Sequence, residues 1–455
     1  MSLANIKTVI LVMFENRSFD HMLGHLSLQG IQPDADGLVN PLSQYANVYQ
    51  GDPYPPFPMP GDTQLDFDVP HEYPYVAAQL HRSPVNGQLL MDGFVEAYAD
   101  YDKVVPNPQP DPMGYFTADQ VPVTSFLAQK FAPCDRWFCP LPTSTQPNRT
   151  VAFCGKSAIY KTGLQIIPDT DNIFDWLDRQ PVPVSWRVYH DGFSFFALYP
   201  GLWGKVLGDN FRDYEELFRD MQEGTDVPQV IIVEPSYEDA PHIGPDHPND
   251  NHAPLAIGWG EDFLRRTYQA ATVNPELWKQ TLMVVYYDEH GGFYDHVAPP
   301  AFNNARDNAS PPDAPPFSTL GPRIPGILVS PWVDPGKVIH DRYDHTSVLQ
   351  LLGELFNPDK AYSDAVTYRS ENGIASISSA LTDTPSSIPA PPAPSGAINV
   401  KSALGDNIPT PPVSPMGQAF EQAAVDMMSQ QPEGVKDKYP ELYQWKAAVD
   451  QARST

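Results

Sequence analysis

Basic residues are scarce in this chain. Its 28 Lys and Arg stand against 56 Asp and Glu, a formal net charge of −28 over 455 residues. Such a field repels polyanions, which argues against nucleic acid as a partner and against an anionic bilayer held by charge alone. A small phosphate ester stays admissible if a metal ion or local cations reverse the field at its site. Cysteine is scarcer still. Cys134, Cys139 and Cys154 allow one disulfide and leave a thiol over, which fits a reducing compartment better than a disulfide-stapled secreted protein. No stretch is long and apolar enough to span a bilayer. The apolar run at 9–14 is shorter than a signal-peptide core and leads into Glu15-Asn16-Arg17 rather than small residues, so it reads as a buried strand. The expectation is a cytoplasmic protein, or one exported without a classical signal peptide. Charged residues make up only 18% of the chain and hydrophobic ones 41%, a composition for a packed core rather than for disorder.

Short apolar runs at 9–14, 182–188, 227–233, 282–287 and 324–329 read as strands of a parallel sheet buried on both faces. Helices are expected at 261–272 and 347–355, so strands alternate with helices in a layered α/β fold. Polar residues follow the strands: Glu15-Asn16, His190-Asp191, Glu234, Asp288-Glu289-His290 and Ser330. Ligands of open α/β sheets bind outside the carboxyl ends of the strands, so a site belongs at that edge. The stretches 45–68 and 298–317, rich in Pro, Asp, Asn and Gly, read as long surface loops over it. A Pro-rich segment at 382–415 reads as extended and linker-like, followed by helical stretches at 416–428 and 442–452. The chain thus divides into a catalytic domain at 1–381 and a Pro-rich segment with a helical tail at 382–455.

Two apparent motifs fail. Gly155-Lys156-Ser157 resembles the end of a phosphate-binding loop, but Thr150 stands where the opening Gly belongs. His71-Glu72 begins like a zinc-protease helix, but Tyr75 replaces the second His. Asp288-Glu289-His290-Gly291-Gly292 is stronger. Adjacent carboxylates at the end of a buried strand repel one another and lose hydration, a cost that a divalent cation offsets. Oxygen ligands suit Mg²⁺, Ca²⁺ or Mn²⁺. Glu15 and Asn16 could add oxygen ligands. Thr143-Ser144-Thr145 places hydroxyls near Arg149; a hydroxyl nucleophile needs a base or a metal to activate it, and an ordinary turn closed by Pro147 explains the segment equally well. Of the loop histidines His71, His252, His296 and His345, at least one is needed to protonate a leaving oxygen near neutral pH.

Taken together in chain order, five segments resemble a known family: 15–21, 144–149, 249–252, 287–297 and 345–347. They are similar to the signatures of the phosphoesterase family of non-specific phospholipases C and related acid phosphatases. That resemblance implies an alkaline-phosphatase-like three-layer sandwich, with a mostly parallel central sheet and helices on both faces. It further implies one divalent metal ion (Ca, Mg or Mn) held by Glu15, Asn16, Asp288 and Glu289, and Thr145 as nucleophile. His71, His252 and His345 would line the phosphate pocket, Asn249, Asp250 and Arg149 would bind substrate, and His290 and His296 would give support. The family pattern runs directly from the His of its Asn-Asp-x-His motif to Pro; here Ala253 intervenes before Pro254. The expected reaction passes through a phosphothreonine intermediate. The expected substrate is a phosphatidylcholine-type lipid, with a soluble phosphate monoester as the alternative, and at most transient contact with a lipid surface. An apolar surface for lipid is sought at 54–57 and 193–203.

Two rival classes are disfavoured. A serine hydrolase of carboxylic esters would want a Gly-x-Ser-x-Gly elbow, which is missing. An inactive metal-binding scaffold would have no reason to keep every catalytic residue type. The sequons at Asn16 and Asn148 would put a glycan inside the expected site, which argues against a eukaryotic secretory route.

Overall fold

The computed structural model describes residues 2–454 apart from 62–64, 66, 103–108, 164–166, 168–170, 245–246, 314, 387–388 and 395–410. The molecule is built on a seven-stranded sheet: β1 (Thr8–Phe14), β2 (Ala132–Cys134), β3 (Trp186–His190), β4 (Phe211–Asp213), β5 (Val230–Glu234), β6 (Thr281–Tyr287) and β7 (Gly326–Val329). Across the sheet the order is β2-β7-β6-β1-β5-β3-β4. The strands from β6 to β4 are parallel, with β1 central and its Phe14 opposite Tyr287 of β6. All seven residues of β1 and of β6 are buried, which is why neither strand shows an alternating pattern.

Helices cover both faces. Phe14 and Tyr287 stack at 5.4 Å, and Phe14 meets Phe263 of the helix α4 (Gly258–Thr272) at 5.8 Å. Tyr286 points the other way, as alternation requires. It stacks on Trp137 and lies 5.5 Å from His345, at the start of α5 (Thr346–Phe356). The α/β sandwich expected from the sequence is therefore present. Shorter helices that matter below are α1 (Phe19–Leu23), α2 (Tyr73–Leu80) and α3 (Thr145–Cys154).

Three local expectations are corrected. The last strand runs antiparallel to β6, not parallel. Among the described residues no α-helix crosses between 288 and 325, so the chain re-enters the sheet at the edge where it left and must run backwards. The strands expected from 182 and 227 begin later, at Trp186 and Val230, because Pro183 and Pro228 cannot donate to a ladder. The segment at 145–154 is a helix rather than a turn. Pro147 falls in its first turn, where backbone N–H groups have no intrahelical partner to lose. Gly155, left-handed at φ 77°, ends it.

The C-terminal helices α6 (Pro415–Gln430), α7 (Pro432–Lys438) and α8 (Glu441–Ser454) share the hydrophobic core of the rest of the chain. Phe420 of α6 is fully buried among Phe193, Phe195 and Tyr237. The described part of the Pro-rich segment also lies on the body: Ser386 and Thr382 donate backbone N–H groups to the carbonyls of Pro331 and Trp332. The boundary expected at 381/382 marks no gap in this packing. Phe420→Ala is expected to destabilise the whole protein by about 3–5 kcal/mol, the usual cost of emptying a phenylalanine site. Urea unfolding measures it, and a change near zero would mean that α6 is not part of the common core.

Candidate active site

The adjacent ends of β1 and β6 place two peptide segments against each other. The N–H of Asp288 donates to the Phe14 carbonyl, that of Asn16 to Asp288 Oδ1 at 3.1 Å, and that of Arg17 to the Glu289 carbonyl. Asn16 and Gly291 face one another in left-handed conformations, φ 59° and 63°. A Cβ at Gly291 would stand 2.1 Å from the Asn16 carbonyl oxygen, so only glycine lets the two turns meet. Glu15, Asn16, Asp288 and Glu289 are thereby gathered at one seam, all buried.

Helix α3 aims its N-terminus at that seam. Thr145, its first residue, donates its hydroxyl to Asn16 Oδ1 at 3.4 Å. The positive end of the helix dipole favours an anion there. His71 comes from the turn before α2, with Nε2 3.4 Å from Asn16 Nδ2. His252 Nδ1 lies 3.2 Å from Glu15 Oε2, and the two imidazoles meet edge to face at 5.8 Å. The structure thus brings together Glu15, Asn16, His71, Thr145, His252, Asp288 and Glu289. Asp68 and Asp239 lie beside His252, at 3.6 and 3.9 Å. Neither belongs to a recognisable motif, and the one signal in the sequence is proximity to His71 and to the end of β5.

Three expected site residues serve elsewhere, and a fourth, Asp250, stays beside Glu15 and His252. Arg149, expected to bind substrate, is fully buried beneath the seam, 3.1 Å from Asp288 Oδ2 and 3.2 Å from Glu15 Oε1, with Phe195 and Tyr237 over its guanidinium. Its donors are spent on charges that burial makes expensive to leave alone. His345, expected in the phosphate pocket, lies behind the turn. Its Nε2 bonds the Asp288 carbonyl at 2.7 Å and Trp137 Nε1 donates to its Nδ1. Burial drives its pKa down to about 4, so it is neutral and fixes the backbone. Asn249 bridges the Ser236 N–H and Asp191, while Asp250 accepts from the N–H groups of Glu238 and His252. Both brace the loop that presents His252, and the Asp250 carboxylate also lies within 4.8 Å of ligand atoms of Glu15 and His252.

The electrostatics follow from burying so many carboxylates. Burial raises Asp288 to about 7, with Glu15 and Glu289 adding to the push and Arg149 opposing it. Burial would also raise Glu15, but Arg149 and His252 outweigh it and hold that carboxylate ionised. For His71, burial opposes the charge, yet Glu289 and Asp68 prevail and lift it to about 9. His252 is raised well above its ordinary value against burial by Asp68, Glu15 and Asp239. The surrounding carboxylates thus favour the charged form of both imidazoles.

The donors fit a divalent cation. Glu15 Oε1 and Glu289 Oε1 are buried and receive no hydrogen bond, and Asn16 Oδ1 and Thr145 Oγ1 add hard oxygen donors, while both oxygens of Asp288 are taken by backbone N–H groups and by Arg149. A mixed set lies alongside: Asp68, His71 and His252 offer ligand atoms within 4.8 Å of one another.

A second buried network braces the same two segments. Arg323 pairs with Asp20 at 3.2 Å and Asp295 at 2.9 Å, and His296 bridges Asp20 and Asp36. Burial would lower His296, but Asp20 and Asp36 raise it to about 10.

The Phosphoesterase family profile matches residues 6–358. The chain belongs to the phosphoesterase family. It is a phosphoric ester hydrolase. Non-specific phospholipase C3 of Arabidopsis thaliana is 30% identical over 428 residues, covering 85% of this chain and 77% of that one. Non-specific phospholipase C1 of the same plant is 31% identical, covering 77% of this phosphoesterase and 67% of the relative. Non-hemolytic phospholipase C of Burkholderia pseudomallei is 27% identical, with 78% and 56% covered. Among solved structures, an alkaline phosphatase superfamily protein from Vibrio parahaemolyticus superposes with a TM-score of 0.32 at 11% identity, covering 52% of this chain and 60% of that one.

Two outcomes follow from this geometry. Arg149→Met is expected to destabilise the phosphoesterase by about 3–5 kcal/mol by leaving buried carboxylates unpaired. A folded, fully stable variant with only a raised KM would return Arg149 to the substrate. His296 has a folded pKa near 10 against 6.5 unfolded, so its contribution is complete below pH 6.5 and is lost as pH rises through 10. Melting curves of the parent and His296→Gln should therefore differ most near pH 6 and converge toward pH 10; a constant gap would refute it.

Proposed function

We propose that this phosphoesterase is a metal-dependent phospholipase C that works through a phosphothreonine. The observation that carries the reading is the Thr145 hydroxyl, at the first residue of α3 and 3.4 Å from Asn16 Oδ1, inside the buried oxygen cluster. Glu15, Asn16, Asp288 and Glu289 would hold one divalent ion, Ca, Mg or Mn. When bound, such an ion lowers the pKa of a hydroxyl beside it and neutralises phosphoryl charge. Thr145 Oγ1 gives up its hydroxyl proton to solvent and attacks phosphorus in line with the leaving alcohol, whose bond to phosphorus breaks, and the α3 dipole and the His71 cation stabilise the charge on the phosphoryl oxygens. Protonated His252 gives its proton to the departing alcohol oxygen. In the second half a water attacks the phosphorus, His252 accepts one of its protons, the bond from phosphorus to Thr145 Oγ1 breaks, and Thr145 takes a proton back from solvent. His252 can cycle in this way because Glu15, Asp68 and Asp239 surround its ring.

The substrate class rests on the relatives, whose names are phospholipases C, and on charge. A net charge of −28 disfavours an anionic surface and leaves a zwitterionic choline lipid acceptable. Thr145→Ala is expected to cut release of choline phosphate from phosphatidylcholine by at least about 10⁴-fold, with the far-ultraviolet spectrum unchanged. Chelation should silence the parent, and one of Ca²⁺, Mg²⁺ or Mn²⁺ should restore it. Retained turnover in the alanine variant would overturn the covalent route. Hydrolysis of nitrophenyl phosphate without cleavage of phosphatidylcholine would make the enzyme a phosphatase instead.

A further inference from the structure

The stretches at 54–57 and 193–203 offer no lipid face, because Phe57, Phe193, Phe195, Phe196 and Trp203 are buried. What else the centre depends on lies in the interior. We infer that Gln79, outside every motif segment, is a positioning residue whose single amide orients the Glu289 carboxylate through His290 and holds the segment that carries His71; this rests on the metal-dependent reading above.

Gln79 is the penultimate residue of α2 and is fully buried. Burying an amide is costly unless its polar atoms are paired, and an aliphatic side chain of like size would carry no such cost. The amide is therefore explained by what it holds. Its Nε2 donates to the Pro70 carbonyl at 2.6 Å, and its Oε1 lies 2.8 Å from His290 Nε2. A carbonyl only accepts, so the first bond decides which end of the amide is nitrogen. Oε1 then faces His290, and Nε2 of that ring carries the hydrogen of the second bond. One peptide carbonyl fixes an amide, and the amide fixes an imidazole.

The imidazole in turn limits the carboxylate. His290 Nδ1 lies 3.1 Å from Glu289 Oε2, and Phe94 meets the ring edge to face at 6.3 Å. The same Oε2 accepts from the Gly291 N–H at 2.8 Å. Oε2 is thus confined on two sides, and Oε1, which no donor reaches, is the oxygen left to a cation. Partners one step removed from a metal ligand set its orientation, and losing one typically costs about 10–100-fold in metal affinity. At the other end of the amide, Pro70 directly precedes His71, whose Nδ1 donates to the Val69 carbonyl at 2.7 Å. A Cβ on Gly292 would stand 2.4 Å from the Pro70 oxygen, so that oxygen is wedged against the turn that carries Glu289. Gln79 ties together two segments that reach the centre from distant parts of the chain.

The test uses the full chain, with circular dichroism to check the fold. In the chelator-stripped parent carrying isotope-labelled histidine, the His290 ring N–H should give a resonance protected from exchange with water, identified by its loss in His290→Phe. Gln79→Met, matched in length but lacking the amide, should lose that protection. In calorimetric titration with Mn²⁺, Gln79→Met should bind at least about tenfold more weakly than the parent. Adding Gln79→Met to His290→Phe should cost no further Mn²⁺ affinity, because the effect on Glu289 runs through His290. The same addition should weaken inorganic phosphate, titrated at saturating Mn²⁺, by about fivefold, because the Pro70 bond beside His71 is lost as well. An exchangeable His290 N–H in the parent, unchanged Mn²⁺ affinity in Gln79→Met, additive Mn²⁺ losses or no further loss of phosphate would each overturn the assignment. Should the methionine variant fail to fold, Gln79→Asn carries the same expectations, since its amide is one methylene too short to span Pro70 and His290. If the parent binds no Mn²⁺ while the His290 N–H still depends on Gln79, the metal-dependent reading falls and the hydrogen-bonded chain stands.

Discussion

The guanidinium of Arg149 under the seam of β1 and β6 is what makes the rest of the centre possible. Glu15 and Asp288 would otherwise be two neighbouring anions stripped of water. Moving each into the interior costs several kcal/mol. Contacts near 3 Å return about 5 kcal/mol apiece at the effective dielectric of such sites, so one arginine balances the pair and little more. Glu289, buried with an oxygen that no donor reaches, lies outside that balance. The chain therefore folds with an excess of buried negative charge beside Thr145.

The same arginine positions the threonine. Thr145 and Arg149 are four residues apart on α3, hence on one face and about 6 Å apart along its axis. Anchoring Arg149 to the strand ends fixes how far the first turn of α3 reaches and in which direction its hydroxyl points. His345 works from behind, tying the Asp288 carbonyl to the start of α5. The side chains at the seam are short of freedom because Arg149 and His345, buried behind them, fix the backbone on both sides.

The sheet was legible because its central strands are unbroken apolar runs ending in polar pairs, and Glu15-Asn16 and Asp288-Glu289 needed only a parallel register to meet. What escaped reading has physical causes. β2 and β4 are three residues long and carry no periodicity. The reversed direction of β7 depends on how the chain returns, not on its own composition. The locations of Arg149 and His345 were undecidable locally, since a buried arginine and a phosphate-binding arginine look identical in a string of letters. Asp68 was invisible because it sits in a loop whose path brings it to His252 from 184 positions away; only the fold creates that contact. Of the residues that the resemblance names, Glu15, Asn16, His71, Thr145 and His252 meet at the ends of β1 and β6, while Arg149 and His345 lie buried behind them.

Helix α6 touches the centre at two points. Ser414, its N-cap, donates to Asp239, which lies against His252, and Met416 accepts from the Gln146 amide next to Thr145. A protease that nicked the Pro-rich run preceding it would leave every catalytic side chain chemically intact. It would nonetheless free the strap that ties Asp239, beside His252, to the first turn of α3, so the centre loses its support before the sheet does.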